Sequence, residues 1–216
     1  QHLPPETMGR LQYEHLYEEA WELARRVGEQ TPSELPRDIP FVLDVAGTGM
    51  HGTLRRITSG GARSFRFARL KARDLLTART SHLTLCALKP DGVFTRTTLL
   101  GLDGQTWQLN PVQDPVDHLT DLVVLLRRGL TAPVRLFPET SLAYTRSRLQ
   151  KKKTAAEALD DARREWTGYR YPGEGQDPYL QLAFRDGDDV LDQDFEQLAL
   201  RVFQPVLSCL AEEPGQ

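Results

Sequence analysis

The sequence predicts a mixed α/β domain, and three observations carry the prediction. An amphipathic helical pattern opens the chain, short alternating runs joined by glycine turns follow, and capped helical segments interrupt and succeed those runs. A helix, then a mostly antiparallel sheet interrupted by helices, is the arrangement of an α/β (α+β) fold with a mixed sheet flanked by helices.

Residues 6–29 place Met8, Leu11, Leu16, Trp21 and Leu23 at approximately helical spacing. The proline-rich "TPSELPRDIP" that follows cannot continue a helix and serves as a connector. Three strands are predicted next, "FVLDVAG", "HGTLRRIT" and "ARSFRFARLK", with "GTGMHG" and "SGGA" as the turns between them. Asp74 is the expected N-cap of a helix running to Leu88, because its carboxylate can accept a backbone N–H that the first turn leaves unpaired. Residues 91–109 form two alternating runs around Asp103-Gly104, a dipeptide suited to the positive-φ positions of a tight hairpin. Asp114-Pro115 opens the next helix and Gly129 closes it. A helix near 141–167, a glycine-rich loop "YPGEGQDPY" and a final helix from about Asp192 to Leu210 complete the order.

A chain of 216 residues with 39% hydrophobic content can bury a real core, so a single domain over 1–216 is expected. No apolar run approaches the roughly 18 residues that a membrane span needs. The amino-terminal "QHLPPETMGR" lacks the cationic-then-apolar layout of a signal peptide, so a cytoplasmic protein with no membrane partner is expected. The start at Gln1-His2 instead of Met reads as a piece cut from a longer chain. Cys86 and Cys209 each sit inside an apolar helical pattern and are expected as buried thiols, not as a disulfide or metal site.

The net charge of −3 hides a strong segregation. From His51 to Thr80 there are eight basic residues, Arg55, Arg56, Arg63, Arg66, Arg69, Lys71, Arg73 and Arg79, against the single acid Asp74. From Tyr171 to Glu196 there are eight acids against Arg185. A block of one sign on strands suits a surface for a polyanion. The competing reading pairs the two segments with each other inside the fold, and both stay open. "QKKK" at 150–153, with Arg146 and Arg148, is a second basic cluster or simply an exposed helix face.

Several chemistries lack their residues. Ser141, Ser147 and Ser208 lie in no G-x-S-x-G elbow, and no His is placed to pair with a nucleophile. "PGEGQDP" lacks the Lys-Ser/Thr ending of a phosphate-binding loop and reads as a turn. His2, His15, His51, His82 and His118 show no metal-ligand spacing, so no zinc site is expected.

In order along nearly the whole chain, "LPPETMGRL", "FRFARLKARDLL", "SHLTLCAL", "LFPETSLAY", "GEGQDPYLQLAFR" and "LDQDFEQLALRVFQPVL" resemble the carboxy-terminal domain of RecC, the gamma chain of exodeoxyribonuclease V, the RecBCD helicase–nuclease. The resemblance implies a PD-(D/E)xK nuclease-like fold with a degenerate active site. Active relatives converge an Asp from one strand, an Asp/Glu-x-Lys from the next and often a His or Glu from the first helix on Mg²⁺, which needs hard anionic oxygens. Where they carry Gly-x-x-Asp, this chain has Gly52-Thr53-Leu54-Arg55, and where they carry Asp-x-Lys it has Arg69-Leu70-Lys71. A shift of one would put Arg56 in place of Arg55 without restoring an acid. On a continuous strand Arg69 and Lys71 share a face, with Arg55 expected in the same neighbourhood. Like charges so close cost on the order of several kcal/mol in a partly desolvated site. The helix ligand position falls near Tyr13 or His15, and the Gln motif that follows such sites is unmatched, since residues 72–90 hold no Gln.

The expectations that follow are a domain without catalysis, metal or cofactor of its own, Mg²⁺ and ATP belonging to partner subunits. RecB and RecD are the implied protein partners, and double-stranded DNA ends and separated single strands the implied nucleic acids. Arg55, Arg56, Arg63, Arg66, Arg69, Lys71 and Arg73 are the candidate phosphate contacts. The Asp103-Gly104 hairpin is either a wedge at the fork or a sheet edge. The alternatives are a scaffold whose basic face docks on an acidic protein, and a metal nuclease built from displaced carboxylates such as Glu14, Glu18 and Asp44.

Overall fold

The computed structural model describes residues 6–30, 34–102, 104–184 and 189–213. Asp103, half of the expected hairpin dipeptide, and His2 lie outside them. Helix α1 (Glu6–Gln30) precedes strands β1 (Arg37–Val45), β2 (Thr48–Thr58) and β3 (Gly61–Phe65). Helix α2 (Ala72–Leu88) then leads to β4 (Thr97–Leu100) and β5 (Thr106–Leu109). Helices α3 (Pro115–Thr131), α4 (Pro138–Leu149), α5 (Ala155–Thr167), α6 (Pro178–Ala183) and α7 (Gln193–Cys209) follow, and β6 (Leu210–Glu213) ends the described chain.

The six strands form one mixed sheet in sequential order. Every neighbouring pair is antiparallel except β3 and β4, which run parallel from Ala62↔Thr97 to Phe65↔Leu100. A parallel pair needs a crossover, and α2 is that crossover. Its apolar side packs Leu75 and Ala78 with Leu99, Trp107 and Leu109 of the sheet and Val206 of α7. A second core, Phe137, Tyr144, Ala158, Ala162, Phe195 and Ala199, joins α4, α5 and α7. No described helix is long and apolar enough to cross a membrane.

The expected elements recur with instructive differences. The predicted strand over 62–71 ends at Phe65, because its partner β4 ends at Leu100 and the chain turns at Gly101. Residues 66–70 instead bind the turn between β4 and β5: Arg66 N–H donates to Leu100 O at 2.9 Å, Leu102 N–H to Ala68 O at 3.1 Å, and Leu70 N–H to Gln105 Oε1 at 2.9 Å. Lys71, not Asp74, is the N-cap residue of α2; Asp74 sits three residues on and its carboxylate accepts the Lys71 N–H at 2.8 Å. The predicted helix over 141–167 is two helices. Lys152 takes φ +53° between them, and Thr154 with Glu157 closes a capping box that starts α5 afresh. "QKKK" is therefore a connection and not a helix face, with Lys153 Nζ 2.6 Å from Asp161 Oδ2. The glycine-rich loop passes into α6, and Leu210 begins a strand instead of ending a helix. Cys86 is buried and Cys209 half-buried, both as free thiols.

Helix α1 forms as its periodicity predicts, but buries little of the expected stripe. Leu23 is buried, whereas Met8, Leu11, Tyr17 and Trp21 are exposed. Arg26 ties the helix to the sheet, donating to Gly101 O at 3.2 Å and Thr106 Oγ1 at 3.1 Å.

Candidate functional site

A break in strand pairing builds the site. On β1 the register runs Arg37↔Ile57 and then Ile39↔Leu54, so one extra residue is accommodated on β2 opposite Asp38. Arg56 takes the left-handed conformation there, φ +57°, and its N–H donates to Asp38 Oδ1 at 3.1 Å. A left-handed residue with a Cβ costs about 1–2 kcal/mol. Next to the bulge, β2 and β3 pair only at Ile57↔Ala62 and Thr58↔Gly61.

Beyond those two pairs a cleft of about 420 Å³ opens between β2 and β3, with Asp74, Thr77 and Ser81 of α2 lining it as well. Arg55 and Arg56 enter from β2, Arg63 from β3 and Arg66 from the segment just after it. The bulge leaves the consecutive residues Arg55 and Arg56 both exposed between buried Leu54 and Ile57, which strict alternation forbids.

The electrostatics are one-sided. Asp74 is the single carboxylate lining the cleft among the described residues, and it is already engaged by the Arg66 guanidinium and the Lys71 N–H. Arg56 lies over the Phe65 ring, 4.8 Å from its centroid. Arg63 has its Nη1 buried with no hydrogen-bond partner, and burial lowers its pKa from the ordinary arginine value. An unpartnered guanidinium nitrogen in a cleft of cations is a donor without an acceptor.

Of the seven basic candidates, Arg55, Arg56, Arg63 and Arg66 come together in this cleft. Arg69, Lys71 and Arg73 do not line it. The expectation that Arg69 and Lys71 share a strand face with Arg55 is corrected by the end of β3 at Phe65: both are exposed on the coil that enters α2. Lys71 lines a different cleft, beside Glu139, Arg164 and Tyr169. Tyr13 and His15 are exposed on α1 and do not reach the arginine cleft. Glu14 and Glu18 share that helix and Asp44 caps a turn through the Gly47 N–H at 3.1 Å, so the displaced carboxylates are not assembled. Among the described residues no group of three or more His, Cys, Asp or Glu side chains is disposed to hold a metal ion.

The described acids of the 171–196 segment find other uses. Asp192 pairs with Arg135, Asp194 with Arg128 and Asp189 with Arg163, while Glu196 accepts from the Tyr144 hydroxyl. Glu174 accepts the Glu139 and Thr140 N–H groups at 3.2 and 2.8 Å, capping α4 from a distant loop. Burial raises the pKa of Glu139 above the usual carboxylate range. Asp38, Phe65 and the distant Glu174 cap carry no local signature in the sequence.

The RecC C-terminal domain profile matches residues 1–149. The chain belongs to the RecC C-terminal domain family. No curated protein matches it. The RecC match runs from α1 to the end of α4 and contains every residue of the arginine cleft. Membership in the RecC family points to a subunit role in RecBCD, exodeoxyribonuclease V, and so to DNA repair and recombination.

Proposed function

We propose that the chain is a non-catalytic, DNA-handling domain of a RecC subunit, built on a nuclease scaffold whose cleft binds phosphate in place of metal. The mixed sheet supports the scaffold that the RecC resemblance implies: a helix precedes three antiparallel strands, and a crossover helix leads to a parallel fourth strand. The observation that carries the function is the cleft itself, where Arg55, Arg56, Arg63 and Arg66 stand around one committed carboxylate.

Magnesium takes near-octahedral oxygen ligands, usually with one or two carboxylates beside substrate phosphates. Asp74 alone, held by Arg66 and the Lys71 N–H, does not fit that requirement. Guanidinium groups suit phosphate oxygens, which they bind through paired N–H donors. Such contacts hold a nucleic acid in place without reading its bases. In this reading RecB and RecD supply ATP- and Mg²⁺-dependent chemistry, and this domain receives double-stranded ends or separated single strands. The exposed apolar residues of α1 favour a second contact, with protein, on a surface separate from the cleft.

Binding of a fluorescent forked duplex, measured by anisotropy over a range of NaCl, tests the proposal. Affinity should fall steeply with salt, and Arg55→Ala with Arg63→Ala should make the log–log slope shallower by about 2, near 0.9 for each lost phosphate contact. Salt-insensitive binding, an unchanged slope, or Mg²⁺-dependent cutting by the purified chain would sink it.

A further inference from the structure

We infer that the arginine cleft takes the terminal phosphate monoester of a strand end instead of a mid-strand phosphodiester, an inference that rests on the phosphate-binding function proposed above and narrows it. The shape of the cleft is the first reason. The hairpin closes one end, since β2 and β3 are paired at Ile57↔Ala62 and Thr58↔Gly61 and Ser59-Gly60 turns between them. Behind, α2 lines it with Asp74, Thr77 and Ser81. Its depth is apolar, because the buried side chains of Leu54, Ile57, Leu70, Leu99 and Leu100 line it too. Across the split, Arg56 of β2 reaches the Phe65 ring of β3, with the guanidinium carbon 4.8 Å from the ring centroid. A mid-strand phosphate drawn into such a space brings a sugar on either side and needs two openings. A cleft of about 420 Å³, closed by the hairpin and backed by α2, suits a group that enters from one side and ends there.

Charge is the second reason. Four guanidiniums line the cleft against a single carboxylate among the described residues, and Arg66 already engages that carboxylate, Asp74. Arg56 is stacked on Phe65. Arg55 and Arg63 are left without an ion pair or a hydrogen-bond acceptor among the described residues. Arg63 folds back toward the closed end, its Nη2 3.7 Å from where a Cβ on Gly60 would stand. Two uncommitted cations therefore share one small space with apolar walls, where an anion meets little competing water. A phosphodiester brings a single negative charge and two free oxygens. A terminal monoester brings nearly two charges at neutral pH and three acceptor oxygens. The second charge and third oxygen match the second free guanidinium, each guanidinium offering paired N–H donors to phosphate oxygens. The Ser64 and Ser81 hydroxyls line the same space as further donors. The chemistry is shared by 5′- and 3′-phosphate ends, and it would seat a strand end against the sheet whatever its bases.

The test measures, by anisotropy at fixed salt, binding of internally labelled blunt duplexes of one sequence whose ends carry 5′-phosphate, 3′-phosphate or hydroxyl only. The unaltered chain should bind at least one phosphate-ended duplex about ten-fold more tightly than the hydroxyl-ended one, the size of one hydrogen bond to a charged group. The preferred end identifies the strand that is held. Thymidine 5′- or 3′-monophosphate should displace that duplex where thymidine does not, a measurement on the unaltered chain that no folding defect can imitate. Arg55→Ala/Arg63→Ala should erase the preference, and Arg73→Ala, outside the cleft, should keep it. Equal affinity for phosphate and hydroxyl ends, with the double variant weakening both alike, would refute the inference and leave the phosphodiester-binding function standing. A preference that survives the double variant would place the terminal phosphate elsewhere and overturn the inference. If the unaltered chain binds no duplex at all, both readings fall.

Discussion

Arg63 separates a structural from a functional reason for a charge in the cleft. Its Nη1 is buried without a partner while the rest of the side chain is half-buried, and burial alone lowers its pKa. A buried unsatisfied donor costs about 1–3 kcal/mol, and the partial exposure of this residue places the penalty at the low end, about 1 kcal/mol. Arg63→Met keeps an unbranched stem against the cleft wall and deletes both the charge and the orphan donor. The variant should be more stable by about 1 kcal/mol, which for a chain of this length raises Tm by about 2–4 °C. It should also lose one phosphate contact, making the salt dependence of DNA binding shallower by about 0.9. Thermal unfolding followed by circular dichroism and anisotropy on one protein preparation measure both. A lower Tm with unchanged binding would show that Arg63 is held for packing, and would refute the assignment of this cation to a ligand.

Two further perturbations report on the scaffold. His82 is fully buried, its Nε2–H donating to Asn110 O at 2.9 Å and its Nδ1 lying 3.0 Å from Thr97 Oγ1, and burial lowers its pKa below 6.5. The unfolded chain therefore binds the proton first, so stability should decline as pH falls below about 6.5; urea midpoints from pH 8 to 5 should show a smaller decline in His82→Gln, and parallel curves would disprove the assignment. Glu174→Ala removes the carboxylate that caps α4, since Phe137 at the N-cap position has no acceptor to replace it. A lost cap costs about 1 kcal/mol, so Tm should drop by about 2–4 °C, and an unchanged Tm would show that water caps the helix equally well.

Local chemistry made much of the architecture legible. Periodicity marked α1, Asp114-Pro115 and Asp192 marked helix starts, and Ser59-Gly60-Gly61 marked the turn into β3, while α3 runs past the expected Gly129 stop to Thr131. Gly61, at φ +106°, sits where a Cβ would lie 2.2 Å from Arg96 O, so its identity reports the closeness of β4. What failed were boundaries set by partners. The run 62–71 alternates like one long strand, yet its pairing stops where β4 stops, and Arg69 and Lys71 leave the sheet. The break of 141–167 into two helices came from the Thr154–Glu157 capping box within an otherwise helical pattern.

The sequence by itself determined the mixed α/β class, the RecC resemblance, and the concentration of basic residues between His51 and Thr80, because these depend on residue type and short-range spacing. Tertiary structure decided which cations act together. Asp38 on β1 receives the bulged Arg56, β2 and β3 part after two pairs, and Arg55, Arg56, Arg63 and Arg66 converge while Arg69 and Lys71 are carried away. The physical reason is that a bulge and a strand end are properties of neighbouring strands, and residues distant in sequence make those neighbours.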